Sequence, residues 1–134
     1  MSTVHIDILI MERVLYSGDV DHAVLPGAEG EMGVYAGHAS VITLLKNGVV
    51  RVTETENADP LLFIINDGYA SVGKKGIRVI ARRAEAVHGM DKDKIGVERD
   101  RIKEKLIDLD PNDAQTEYVR EELEWYNLLL EYNA

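Results

Sequence analysis

The chain has no cysteine among its 134 residues. Disulfide frameworks, thiolate metal sites and cysteine nucleophiles are therefore excluded. Long apolar runs are missing too. The longest, Leu61-Leu62-Phe63-Ile64-Ile65, is far too short to span a bilayer. No basic start leads into an apolar stretch and a small-residue cleavage site, so no signal peptide is expected. Basic charge is scarce: 15 Lys and Arg stand against 24 Asp and Glu, a net charge of −9. Nucleic acid would be repelled, and an anionic membrane surface is an equally poor partner. Phosphate loops of the G-x-x-x-x-G-K-[ST] or G-x-G-x-x-G type do not occur, nor does a G-x-S-x-G nucleophile elbow. The four histidines, His5, His22, His38 and His88, lack metal-ligand spacing. Carboxylates are plentiful, but nothing singles out an acid/base pair.

What remains is an ordinary globular composition, with 46% hydrophobic and 29% charged residues. The length allows one domain, or one small domain with an appendage. Charge is uneven along the chain. Residues 1–88 hold 8 basic and 11 acidic side chains, a net of −3, and residues 89–134 hold 7 and 13, a net of −6.

The first 88 residues read as short strands divided by turns. Val4, Ile6, Ile8 and Ile10 alternate with His5, Asp7 and Leu9, the period of a half-buried strand. Further strands are expected from Val14, over Val20 to Leu25, Val41 to Leu45, Val49 to Glu54, Leu61 to Ile65, Tyr69 to Val72 and Ile77 to Ala81. Asn47-Gly48 and Asn66-Asp67-Gly68 read as tight hairpin turns. Turn signals at this density argue for an antiparallel sandwich or barrel. No helix-length segment separates the strands, which disfavours a parallel α/β sheet.

The pattern changes after His88-Gly89-Met90. Ile95, Ile102, Leu106 and Leu109 form one helical stripe. Asp110-Pro111-Asn112-Asp113 reads as a stop and restart, with Asp110 as the cap, Pro111 in the first helical position and Asp113 in the first turn. A second helix places Ala114, Tyr118, Trp125, Leu129 and Tyr132 on one stripe, beside Val119, Leu123, Tyr126 and Leu130. Two such helices with a short connection form a hairpin. The expected division is a β-sandwich over 1–88 and a two-helix tail over 89–134.

One segment is more specific. Gly27-Ala28-Glu29-Gly30-Glu31-Met32-Gly33-Val34-Tyr35-Ala36-Gly37-His38-Ala39-Ser40 resembles the epsilon subunit of bacterial F-type ATP synthase, where G-x-E-G-E-x-G leads into P-G-H-A-P. His5-Ile6-Asp7, Ser17-Gly18, Leu44 to Val52 and Ala81-Arg82-Arg83-Ala84-Glu85 agree with it as well. The likeness covers residues 3 to 88; beyond residue 91 it is one of architecture. It implies a non-catalytic rotor subunit that links gamma to the c-ring of a proton-driven complex. The implied location is peripheral, on the cytoplasmic face of the bacterial cell membrane. Gamma, the c-ring and, transiently, the beta subunits are the implied partners, contacted through Glu29, Glu31, Met32, Tyr35 and His38. The dense glycines of this segment serve tight turns and bulges, close approach of a partner backbone, or both. His38 serves either as a turn or core histidine or as a contact. Ala36 and Ser40 stand where the family has prolines, so the loop loses two fixed φ angles, each worth roughly 0.4–1 kcal/mol of preorganisation.

The resemblance also gives the tail a regulatory role, blocking hydrolysis when basic residues of its second helix meet an acidic loop of beta. Here Asp113, Glu117, Glu121, Glu122, Glu124 and Glu131 face Arg120 alone. Like charges in a partly desolvated contact are unfavourable, so weak inhibition is expected. The resemblance implies no cofactor beyond a regulatory ATP that some members bind. Glu85, Met90, Asp91, Lys94 and Arg120 are the matching positions, with Lys94 in place of an arginine and so without its planar fork. Asp91 otherwise serves as a helix N-cap. Two further readings are a free-standing β-sandwich ligand-binding module and a small hydrolase using Glu29 and Glu31.

Overall fold

The computed structural model describes residues 2–132. The chain divides into two compact units, Met1–His88 and Gly89–Ala134. The first holds eight strands: β1 (Val4–Ile10), β2 (Arg13–Val20), β3 (His22–Gly27), β4 (Gly30–Tyr35), β5 (Val41–Leu45), β6 (Gly48–Thr53), β7 (Leu61–Gly73) and β8 (Gly76–Ala86). They join in the order β2-β1-β8-β7-β5-β3-β4, with β6 between β3 and β7. All pairs are antiparallel except β1 with β8. Alternate residues of each strand enclose one apolar core, including Ile6 and Ile8 of β1, Phe63 of β7 and Val79 of β8.

The expected hairpins at Asn47-Gly48 and Asn66-Asp67-Gly68 are not formed. Leu61–Gly73 is one strand, and β5 and β6 run in line along it, with Leu45 opposite Gly68 and Gly48 opposite Ile65. The dipeptides mark a corner instead. The inward face switches there in all three strands. In β7 it changes from Phe63 and Ile65 to Ala70 and Val72, and in β8 from Ile77, Val79 and Ala81 to Ala84. In the β5–β6 line it changes from Leu45 to Val50 and Val52. Asp67, at φ 52°, supplies the odd residue that inverts the alternation. Its N–H donates to Asn47 Oδ1 at 2.9 Å, a side chain taking the place of a ladder carbonyl. Arg82 Nε donates to Asp67 Oδ2 at 3.0 Å and spans the same corner. The flat ladder thus folds over into a sandwich where the sequence suggested chain reversals.

Strand β3 also starts later than expected. Val20 closes β2, and Asp21 breaks the chain by donating its N–H to Thr53 O at 2.9 Å. At the β7–β8 turn a Cβ on Gly76 would lie 2.4 Å from His5 O, and its φ is +111°. Only glycine fits that close approach.

The second unit holds α1 (Lys92–Asp108) and α2 (Ala114–Glu131). Asp91 caps α1, its Oδ1 accepting from Lys94 N at 3.2 Å. The cap of α2 is Asp113, accepting from Gln115 N at 2.8 Å, and the helix begins at Ala114. The expected cap, Asp110, instead accepts from Asn112 N at 2.9 Å, so Pro111 stays outside the helix. Thr116 is buried and its hydroxyl donates to Asp110 O at 2.6 Å. That bond sets the rotation of the first turn. Val119, Trp125 and Leu129 turn inward with Thr116, while Tyr118, expected on the packed stripe, is 61% exposed.

Candidate functional site

The expected contact residues fall at two ends of β4. Glu29 is exposed in the β3–β4 turn and Glu31 is the second residue of the strand. Tyr35 ends it, about 13 Å further along at the usual rise per residue. At the turn, Ala28 N donates to Leu44 O and Lys46 N to Pro26 O, both at 2.9 Å, which ties the hairpin to the end of β5. Glu31 is not free: Arg51 Nη1 donates to its Oε2 at 2.8 Å, and both groups remain largely exposed. Such a pair is worth little in water and can be exchanged for a partner's charge. Met32 is half-buried and packs against the core, which leaves it a structural residue with one accessible side.

At the other end Tyr35, 56% exposed, stacks on His22 with ring centroids 4.6 Å apart. His22 is held by Asp21, Nδ1 to Oδ2, at 2.7 Å. His38 is exposed on the loop that follows. Its Nδ1–H donates to the Ala39 carbonyl at 2.8 Å, so Nε2 is the nitrogen left for a partner. Tyr35, Gly37 and His38 line one wall of a cleft of about 650 Å³. Lys74 and Lys75 of the β7–β8 turn and His5 of β1 line the rest.

The residues proposed for ATP divide between the units. Glu85 lies on β8 opposite Ile64, in the first unit. Met90, Asp91, Lys94 and Arg120 belong to the second. Asp91 is engaged as the α1 cap, and Arg120 Nη1 donates to Glu117 Oε2 at 2.7 Å, one turn away.

Sequence reasoning missed the most extensive feature. Val14, Leu9, Ile80, Tyr69 and Leu44 face each other in turn across β2, β1, β8, β7 and β5. They form one apolar row across the outer face of the sandwich. Leu44 is 71% exposed, Val14 54% and Tyr69 42%, and Ile42, two residues along β5 from Leu44, is 77% exposed. Exposed apolar patches of this kind mark interaction surfaces. The signal in the sequence was the pair of apolar dipeptides Val41-Ile42 and Leu44-Leu45 around Thr43, which supplies both faces of β5.

Tyr16, whose hydroxyl donates to Glu54 at 2.7 Å, is pushed up to about 12 by burial and by that carboxylate, so it stays protonated. Among the described residues no group of three His, Cys, Asp or Glu could hold a metal ion. No described helix is long and apolar enough to cross a membrane.

Comparison with known proteins agrees with this picture. Residues 3–87 match the family model of the ATP synthase delta/epsilon chain β-sandwich domain. The ATP synthase epsilon chain of Hyphomonas neptunium is 39% identical over 111 residues, 83% of this chain and 82% of that one. The epsilon chain of Caulobacter vibrioides is 40% identical over 84 residues, which make up 63% of this chain but 95% of that relative. Among solved structures, a chain of the Euglena gracilis mitochondrial ATP synthase, determined with its F1 and c-ring, superposes with a TM-score of 0.72. That likeness spans 96% of this chain and 80% of the other at 21% identity, and shows a shared fold. By the match over its whole sandwich and its relatives' identity, the chain belongs to the ATP synthase delta/epsilon family and is an epsilon-type chain.

Proposed function

We propose that the chain is the epsilon-type, non-catalytic subunit of the central stalk of a proton-translocating F-type ATP synthase. The sandwich joins gamma to the c-ring, so that torque from ion flow reaches the catalytic head. Its work is mechanical: a stiff core and complementary surfaces, with reaction left to other subunits. The observation that carries this reading is the exposed apolar row of Val14, Leu9, Ile80, Tyr69 and Leu44 on a domain of this family. That row is the gamma-docking face. The Glu29–Glu31 turn, tied to Leu44 through Ala28 and carrying the exchangeable Arg51 pair, faces the polar loops of the c-ring, while Tyr35 and His38 offer a separate contact beside the cleft at the other end of β4.

The chain sits peripherally on the cytoplasmic face of the bacterial cell membrane. The helical unit modulates hydrolysis only weakly. Its second helix carries Glu117, Glu121, Glu122, Glu124 and Glu131, and Arg120 is already paired with Glu117. The Caulobacter relative supports this, because 84 matched residues leave it little room for a second unit. No cofactor belongs to the reading. Asp91 is spent on its cap, and calorimetry of the chain with millimolar ATP is expected to show no heat of binding.

The direct test is capture of purified gamma by the full chain and by Leu44→Glu. Leu44 is mostly exposed, so folding is unaffected by the charge. Burying that charge at a docked apolar face weakens binding by about tenfold or more, roughly 1.4 kcal/mol per decade. Equal capture by both proteins would remove the row from the interface. A free-standing ligand-binding module would capture no gamma at all.

A further inference from the structure

Strand β2 ends the sheet and has one neighbour, β1. His5 of β1 stands opposite Asp19 of β2. Its Nδ1 lies 2.8 Å from Asp19 Oδ1, and its Nε2 lies 3.1 Å from Asp7 Oδ1. Ser17 Oγ, also on β2, donates to the same Asp7 oxygen at 2.6 Å. A neutral imidazole carries one N–H and can donate to one carboxylate only. Two carboxylates on the two ring nitrogens call for the imidazolium.

We propose that His5 is a proton-operated latch that pins edge strand β2 to β1. Protonated, the ring bridges Asp7 on its own strand to Asp19 on the edge strand. On losing a proton it keeps one carboxylate and releases the other. Asp19 is the one released, since its side chain is 71% exposed against 24% for Asp7, which Ser17 also holds. An unlatched β2 frays and uncovers the edge of β1, where a foreign strand could pair.

The surrounding charges are mixed. Arg78 of β8 stands opposite Asp7 and favours its ionised form. Lys74 and Lys75 line the neighbouring cleft with Tyr35 and His38, and the two ammonium groups oppose a positive charge on His5. The two carboxylates in direct contact outweigh them: the bond to Asp19, then that to Asp7, raises His5 above its ordinary 6.5. The Ser17 hydroxyl, then His5, holds Asp7 below its ordinary 3.8. A raised histidine contributes fully below its unfolded value, and the contribution is lost as pH rises through the folded one. A depressed carboxylate contributes above its unfolded value, and the contribution is lost as pH falls through the folded one. The latch is therefore closed in mildly acidic to near-neutral solution and opens on the alkaline side.

The test uses the full chain in two measurements. Nitrogen NMR of the His5 ring is expected to show both nitrogens protonated at about pH 6, with titration above the free-histidine value. Amide exchange of residues 15–20, corrected for intrinsic rates, is expected to report several-fold more frequent opening at about pH 9 than at pH 6. In His5→Gln the opening should be equally frequent at both. A singly protonated ring at the acidic pH would overturn the proposal. So would pH-independent opening in the unaltered chain, a result that stands even if the variant fails to fold.

Discussion

The two units are built by opposite means. The sandwich is held by partners far apart in the chain: β1 beside β8, β2 joined to its mate at His5 and Asp19, and a corner made by Asn47, Asp67 and Arg82. The helical unit is held by neighbours. Each cap is a carboxylate two or three residues from the amide it serves, and few side chains are fully buried: Ile102 in α1, and Thr116, Val119, Trp125 and Leu129 in α2. A part that transmits torque needs the first kind of construction, in which bending any strand strains the rest. On the proposed function the helical unit only modulates, needs no such rigidity, and its loss is expected to cost the coupling little.

The largest expected contrast lies in the cores. Phe63 is 1% exposed and packs on Tyr16 at 5.3 Å. Phe63→Ala should destabilise the first unit by about 3–5 kcal/mol in urea unfolding. The helices of the second unit should unfold at unchanged denaturant if the units are energetically separate, and a shared shift would join them. A smaller effect is expected at the α2 cap. Asp113→Ala should lower helix stability by about 1 kcal/mol, read from circular dichroism on heating, and leave gamma capture intact. The smallest is Tyr118→Ala, exposed and outside the packed stripe, which should change stability by less than about 0.5 kcal/mol. A larger loss would mean that Tyr118 has a partner within the chain.

Legibility followed the same division. Alternation in Val4–Ile10 was enough to place β1, and the glycine-dense segment from Gly27 to Ser40 was enough for the family, because both signals are local. The tail's two helices were legible from period alone. The hairpin readings at Asn47-Gly48 and Asn66-Asp67-Gly68 failed because a positive φ suits a bulge as well as a turn. Only the Asn47–Asp67 bond, between residues 20 apart, decides which one forms. Asp110 and Asp113 are equally good caps on paper, and the Thr116 bond to Asp110 selected the second. Of the apolar row, only the β5 end left a trace in the sequence. The row's members come from five strands, and register between strands sets their alignment. Of the contact residues, Tyr35 and His38 lie exposed, which for His38 excludes the core position that its sequence left open. Glu31 proved paired and Met32 half-buried, since Arg51 and the core reach them from distant segments.

The central claim is that the sandwich alone carries the coupling. It is tested most directly by proton-driven ATP synthesis in vesicles holding a complex depleted of this chain, with the full chain or residues 1–88 added back. The account predicts that residues 1–88 restore synthesis as fully as the whole chain, without a several-fold rise in ATP hydrolysis. Full synthesis by the depleted complex, or restoration by the whole chain only, would contradict it.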